Sequence, residues 1–251
     1  MIGTRRALIV ATGEYVDEKF RQLRAPAIDA DRLAEVLGDP AIGDFEVDVA
    51  VNEDESVLRR RIARFFARSN RDDVLLLHLS GHGVKDAHGD LFLAARDTEI
   101  DLLEATALAA SWLDEQITRS PSRRILLLLD CCFSGKFPFS ATARAGDSVD
   151  VPQRFKGHNR AVITATNATE YAYEGDRLTG DGHRSYFTDV LVEGLKTGEA
   201  DRDQDQWISV DELYDYIVER IVPHQTPTKK SSLEGPPSLC SAQHLRQARR
   251  S

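Results

Sequence analysis

The chain is predicted to fold as an α/β protein, a three-layer sandwich with a mostly parallel central sheet of about six strands. Three observations carry that expectation. Short apolar segments rich in leucine and β-branched residues alternate with segments of helical spacing. Two of the apolar segments, VLLLHL at Val74–Leu79 and ILLLL at Ile125–Leu129, are nearly continuous, as strands are when helices cover both faces of a sheet. Hydrophobic residues make up 41% of the 251, enough to bury the core of one large domain.

In chain order, Arg6–Thr12 (RALIVAT) reads as the first strand. It is not taken for a leader peptide, because no small-residue cleavage site follows it. Ile28–Leu37 has the apolar spacing of a helix, Val47–Val51 is a β-branched strand, and Ser56–Arg68 is again helical. Val74–Leu79 is the first central strand, followed by a helix at Ser111–Thr118 and the second central strand at Ile125–Leu129. Ala161–Thr166 (AVITAT) is a further strand, and Ser185–Leu195 and Val210–Val222 are helices. Lys136–Asn159 is the longest irregular stretch, of a length at which a loop is usually functional or disordered. The domain is expected over 1–230, with 231–251 a linker or basic tail such as a fragment of a longer protein would carry.

Composition removes several function classes. The net charge is −9, so no large positive field exists to hold a phosphate backbone, and nucleic acid is not an expected partner. No apolar run reaches membrane-spanning length, so no membrane association is expected. The three cysteines, two of them adjacent at Cys131 and Cys132, are not a disulfide framework, which favours a reducing, cytoplasmic setting.

The chemistry concentrates after the two central strands. VLLLHL is followed by Ser80-Gly81-His82-Gly83, and ILLLL by Asp130-Cys131-Cys132-Phe133-Ser134-Gly135. Both motifs are expected just past strand ends, where open α/β sheets place their ligand sites. Cys132 lies 50 residues after His82, a spacing known from caspases. A thiol attacks well only as a thiolate, and an imidazole can take its proton and later protonate the leaving amine. The backbone N–H groups of Gly83 and Cys132 are candidate oxyanion donors. His78 and Cys131, which belong to the strands themselves, have the blander reading of core residues.

The SGHG and DCCFSG motifs together resemble the caspase and metacaspase superfamily, closest to its prokaryotic, metacaspase-like branch. The likeness runs from about Ala7 to Lys230 and includes Gly13-Glu14-Tyr15, Ala27-Ile28-Asp29-Ala30, Thr164–Glu174, Tyr186–Gly198 and Gln225-Thr226-Pro227. The family's D-x-C-x-S-G places the nucleophile at Cys132, not Cys131. The resemblance implies a cysteine endopeptidase with a Cys132–His82 dyad, acting on protein or peptide substrates. It also implies an effector role in bacterial cell suicide or phage defence, often beside a sensor domain or regulator. Such a peptidase requires no cofactor.

Animal caspases carry Q-A-C-x-G around the nucleophile, whereas this chain has Asp130 two residues before Cys132. The resemblance to metacaspases assigns Asp29, Ser80 and Asp130 to a pocket for arginine or lysine, which carboxylates favour for Coulombic reasons. Asp29 reads equally well as a solvated first-turn residue favoured by the helix dipole. Lys136, Arg144, Arg154, Lys156 and Arg160 in the long segment are self-processing sites in one reading and ordinary surface residues in the other.

A last motif is independent of the dyad. Asp201, Asp203, Asp205, Trp207 (through its carbonyl), Ser209 and Glu212 have the ligand spacing of a calcium loop, with Ile208 at its apolar position. Gln206 stands where glycine normally makes the turn and would need positive φ. The competing reading is a turn and cap before the last helix. Ca2+ is therefore the one cofactor the sequence admits. Alternatives to an Arg- or Lys-directed peptidase stay open: the same mechanism with aspartate specificity, a catalytically silent assembly module, or a calcium-responsive regulatory module.

Overall fold

The computed structural model describes residues 3–133, 155, 158–165, 185–222, 225–233 and 238–242, the side chains of Cys132, Phe133 and Ser238 excepted. Five parallel strands form the body of the sheet: β1 (Arg5–Ala11), β2 (Glu46–Val51), β3 (Val74–Lys85), β6 (Arg124–Phe133) and β7 (Arg160–Thr164). The order across it is β2-β1-β3-β6-β7-β9, with β9 (Thr228–Ser231) antiparallel to β7. A hairpin of β4 (Leu91–Leu93) and β5 (Leu108–Ala109) pairs onto the far end of β3.

Helices cover both faces, as near-continuous apolar strands require. On one face α1 (Ala25–Gly38), α5 (Tyr186–Thr197) and α6 (Val210–Ile221) pack over Ala7, Ile9, Leu76, Leu126, Leu128 and Ile163. On the other, α2 (Glu55–Ala67) and α4 (Ala110–Arg119) pack over Leu8, Val10, Leu75, Leu77, Leu127 and Val162. A short α3 (Leu103–Thr106) links the hairpin strands. Strand alternation assigns each residue its face, so Leu75 and Leu76 enter different cores.

All five strands and all five helices expected from the sequence are present, with ends shifted by a few residues. The largest shift matters. β3 and β6 do not stop before their motifs but run through them, to Lys85 and Phe133. The glycines and polar residues of SGHG give no strand signal of their own. The extension is held by pairing, because β3 and β6 stay in register from Val74↔Arg124 to Gly83↔Phe133.

Two other expectations are corrected. Residues 231–251 are not simply a tail, since β10 (Ser238–Ser241) pairs antiparallel with β8 (Trp207–Ser209) and Leu239, Cys240 and Ala242 are buried. Arg160 is not a loop cleavage site. It opens β7, is 4% exposed, and pairs with Asp114 while donating to Thr118 Oγ1 at 2.8 Å. Lys136, Arg144, Arg154 and Lys156 lie outside the described residues. No helix among the described residues is long and apolar enough to cross a membrane.

Candidate active site

The site stands where the two central strands outrun their neighbours. β1 ends opposite Ser80 and β7 ends beside Leu129, but β3 and β6 continue as a pair. In that protruding ladder His82 is the register partner of Cys132, and Ser80 of Asp130. Adjacent parallel strands lie about 4.8 Å apart, so residues 50 positions apart in the chain end with their two motifs abreast. Gly83 continues the ladder between Leu93 of β4 and Phe133 of β6.

His82 is held by the loop after β1. Its backbone N–H donates to Tyr15 Oη at 3.0 Å, and that hydroxyl donates to Thr12 O at 2.8 Å. The rings of Tyr15 and Phe20 lie 5.0 and 5.7 Å from the imidazole, centroid to centroid. The ring's Nε2 is 2.8 Å from Arg21 O. A carbonyl only accepts, so Nε2 carries the proton and Nδ1 is left as the basic atom of the neutral ring. Burial lowers the imidazole pKa, the Arg21 carbonyl raises it, and the Arg21 charge lowers it, with a net shift below the usual 6.5.

The loop itself is fixed from two sides. Asn52, at φ +51°, accepts through Oδ1 from the N–H groups of Gly13 and Glu14 at 2.9 and 3.1 Å. Gln22 exchanges hydrogen bonds with the backbone of Tyr15, both at 2.9 Å. Gly81 has φ +149°, and a Cβ there would come within 2.9 Å of Thr12 O and 3.0 Å of Tyr15 Oη. Only glycine lets β3 pass this close to the loop.

Cys131 and Cys132 are successive residues of β6. The Cys131 side chain is buried with the α2/α4 core, where its thiol donates to Leu79 O at 3.3 Å. The even positions of β3 and β6 continue the α1/α5 face, and there the apolar core gives way to polar groups. His78, Ser80, Asp29 and Asp130 are all buried. Asp29 is not a solvated first-turn residue. It lies in the second turn of α1, fully buried, and accepts from Ser185 N at 2.6 Å. Burial pushes its pKa up to about 7, with Asp130 and Asp189 adding to the rise and Ser185 N–H and Arg32 opposing it. Arg32 stands 3.8 Å from Asp29 Oδ1 but is engaged by Asp189 at 2.6 Å.

Asp130 accepts from Thr188 Oγ1 at 2.7 Å. Burial raises its pKa, opposed by the hydroxyls of Ser185 and Thr188. Ser185 Oγ is buried beside it, yet its geometry closes no hydrogen bond to a described residue. Among the described residues Asp29 Oδ1 has no hydrogen-bond partner, and Arg32 is its ion-pair neighbour at 3.8 Å.

The acidic loop before α6 is a second group of carboxylates. Carboxylate oxygens of Asp201, Asp203 and Asp205 fall within 4.8 Å of one another. Gln206 adopts φ +79° and donates its N–H to Asp201 Oδ2 at 3.0 Å, the turn a calcium loop needs, made without glycine. These three acids fit a hard cation. Ser209 and Glu212 are committed elsewhere: they form the capping box of α6, and Glu212 also accepts from the N–H groups of Arg202 and Asp203. Trp207 is 42% exposed, in β8.

Sequence reasoning gave no role to Tyr15, Phe20, the Arg21 carbonyl, Ser185 or Thr188. Tyr15 carried a signal, since it follows the carboxyl end of the first strand. Thr188 carried none, because a threonine in a helix is unremarkable until the fold sets it against Asp130.

Comparison with known proteins follows the same lines. The family model described as the caspase domain matches residues 4–239. Among solved structures, the chain is similar to caspase-1 from Spodoptera frugiperda, with a TM-score of 0.66 and 15% identity over 94% of this chain and 89% of that one. It is also similar to protein GSU0716 from Geobacter sulfurreducens, with a TM-score of 0.69 and 18% identity over 95% and 97%. At such identities these likenesses speak for the fold alone. A search of the curated proteins finds no match.

Proposed function

The chain belongs to the caspase-domain family, and on that premise we propose that it is a cysteine endopeptidase that cleaves protein substrates after arginine or lysine. The register of β3 and β6, with His82 opposite Cys132, is the observation that carries the reading. In the mechanism, His82 Nδ1 takes the thiol proton of Cys132 while Arg21 O holds the ring through Nε2. The thiolate attacks the scissile carbonyl, and backbone N–H groups of Gly83 and Cys132 receive the developing oxyanion. The C–N bond breaks as His82 returns the proton to the leaving amine. Water, deprotonated by His82, then hydrolyses the thioester and frees Cys132. Every step is carried by residues of this chain, with no cofactor required.

Asp29, Asp130 and Ser80 support the cationic preference. Both acids are buried, Asp29 on α1 and Asp130 on β6 in register with Ser80, and a guanidinium or ammonium group would relieve their desolvation. Resemblance to prokaryotic effectors supports a role in cell suicide or phage defence, under the control of a sensor domain or regulator. The test is hydrolysis of fluorogenic peptides ending in Arg, Lys or Asp by the wild type, Cys132→Ala and His82→Ala. Cleavage after Arg or Lys that both variants lose is the expected result. Cleavage after Asp keeps the dyad and discards the pocket. No cleavage under any condition, including after limited proteolysis, favours the silent module.

A further inference from the structure

Behind the acidic pocket lies a chain of three buried side chains from three elements. Thr188 on α5 donates through Oγ1 to Asp130 Oδ2 on β6 at 2.7 Å, and the same oxygen lies 3.4 Å from His78 Nε2 on β3. All three residues are at most 5% exposed. The catalytic mechanism uses neither Thr188 nor His78.

The direction of this chain follows from proton counting. A threonine hydroxyl has one proton. Once that proton goes to Asp130, the oxygen can only accept, so His78 must face it as Nε2–H. The alternative tautomer would set a lone pair against Thr188 and compete with Asp130 for the hydroxyl proton. It would also leave a buried N–H at Nδ1 with nothing to receive it, since Nδ1 has no partner among the described residues. An orphaned N–H is the rarer fault in folded proteins, so the Nε2–H form is preferred. Complete burial depresses the His78 pKa to about 4, so the ring stays neutral where the enzyme would work.

We propose that Thr188 is the positioning residue of the acidic pocket: with His78 behind it, its hydroxyl holds Asp130 as an aimed, ionised acceptor and thereby sets the preference for a cationic substrate side chain. The specificity part of this proposal rests on the Arg/Lys reading above. The other groups facing the pocket do not replace Thr188. Arg32 is engaged by Asp189, and Asp29 takes the Ser185 N–H. Burial raises the Asp130 pKa, and the hydroxyls of Ser185 and Thr188 oppose that rise; of the two, Thr188 is the one whose geometry closes a hydrogen bond to Asp130, at 2.7 Å.

The experiment compares Thr188→Val, which keeps shape and removes the hydroxyl, with Thr188→Ser, which restores it. Peptides carrying arginine or its neutral isostere citrulline at the cleavage position are assayed from pH 5.5 to 8.5. Thr188→Val is expected to lose roughly 10–100-fold in Arg-over-citrulline discrimination, through KM rather than kcat, as removal of a hydrogen bond to a charged group predicts. Its acid limb for the arginine peptide moves to higher pH, and Thr188→Ser recovers both properties. Unchanged discrimination, or equal losses on both peptides in both variants, overturns the proposal.

Two readouts need no turnover. In protein labelled with 13C at aspartate carboxyls, Asp130 is expected to titrate at higher pH in Thr188→Val than in wild type, and an unmoved titration overturns the proposal. If Asp130 moves while the wild type shows no preference for arginine, positioning stands and the specificity reading falls. If Thr188→Val does not fold, 15N spectra of the wild type decide: His78 neutral with its proton on Nε2 supports the chain, and a proton on Nδ1 overturns it.

Discussion

The Nε2 of His82 lies 2.8 Å from the carbonyl oxygen of Arg21, and this one contact decides which ring nitrogen is free to act as a base. Because the site is partly desolvated, the imidazole is also held below its ordinary pKa of 6.5. In Cys132→Ala, where no thiol titrates alongside, His82 is expected to titrate below 6.5 and to be neutral and protonated on Nε2 at neutral pH. An 15N–1H spectrum across the pH range checks both points. A ring protonated on Nδ1 would mean that Arg21 does not orient it.

Cys131 and Cys132 should part company under mutation. Cys131 fills the α2/α4 core and donates to Leu79 O, so Cys131→Ala is expected to cost about 1 kcal/mol of stability and leave turnover intact. Cys132→Ala should lower turnover by at least about 10³-fold with little change in stability. Urea denaturation and peptide hydrolysis, run on both variants, separate the roles. The opposite pattern would transfer the nucleophile to Cys131.

This pair also shows what could be read from sequence and what could not. The strands were legible because Leu75 to Leu79 and Ile125 to Leu129 are buried on both faces and advertise it. Their extensions through Gly81 and Cys132 were not, because that part of each strand exists by pairing with the other and not by its own propensity. The two- to four-residue strands β4, β5, β8, β9 and β10 escaped for the same reason. His82 and Cys132 announced themselves through small flanking residues. Thr188 could not, since it meets Asp130 and His78 only across 58 and 110 residues of chain.

Asp29 makes a prediction about stability with a definite sign. Its folded pKa is raised from 3.8 to about 7, so the folded state holds a proton that the unfolded chain has released. The contribution is present at low pH and is lost as pH rises from about 3.8 through 7. Asp29→Asn has no such proton to lose. The wild type should therefore fall relative to this variant by up to about 1.4 kcal/mol per pH unit in that window. Urea denaturation at pH 5, 6, 7 and 8 measures the difference, and parallel curves would show that Asp29 is ionised throughout. The same variant should cleave the arginine peptide poorly.

Gly81→Ala tests the close approach of β3 to the loop that carries Tyr15. At φ +149° the new methyl meets Thr12 O and Tyr15 Oη, so either the backbone or the loop must move. A cost of about 1–3 kcal/mol is expected from the conformation alone. Because Tyr15 Oη also receives the His82 N–H, turnover should fall more steeply than stability does. A variant that is destabilised but fully active after correction for the folded fraction would show that His82 does not depend on this contact.

The acidic loop allows a quantitative expectation for calcium. Asp201, Asp203 and Asp205 already converge, and burial together with Glu212 and Asp205 raises the Asp201 pKa against the opposing N–H of Gln206, as a bound cation would relieve. Glu212, however, would have to leave the Ser209, Arg202 and Asp203 N–H groups to reach an ion, and those bonds depress its own pKa despite its burial. Binding should therefore be weak, with a Kd of about 10⁻⁴–10⁻³ M, where loops short of rigid ligands fall. Calorimetric titration of the wild type and of Asp203→Asn measures this. Loss of binding in the variant locates the ion in the loop, and tighter binding would require Glu212 to swing out of the capping box. No heat up to about 10 mM calcium, well above that Kd range, would leave the loop as a turn and a helix cap.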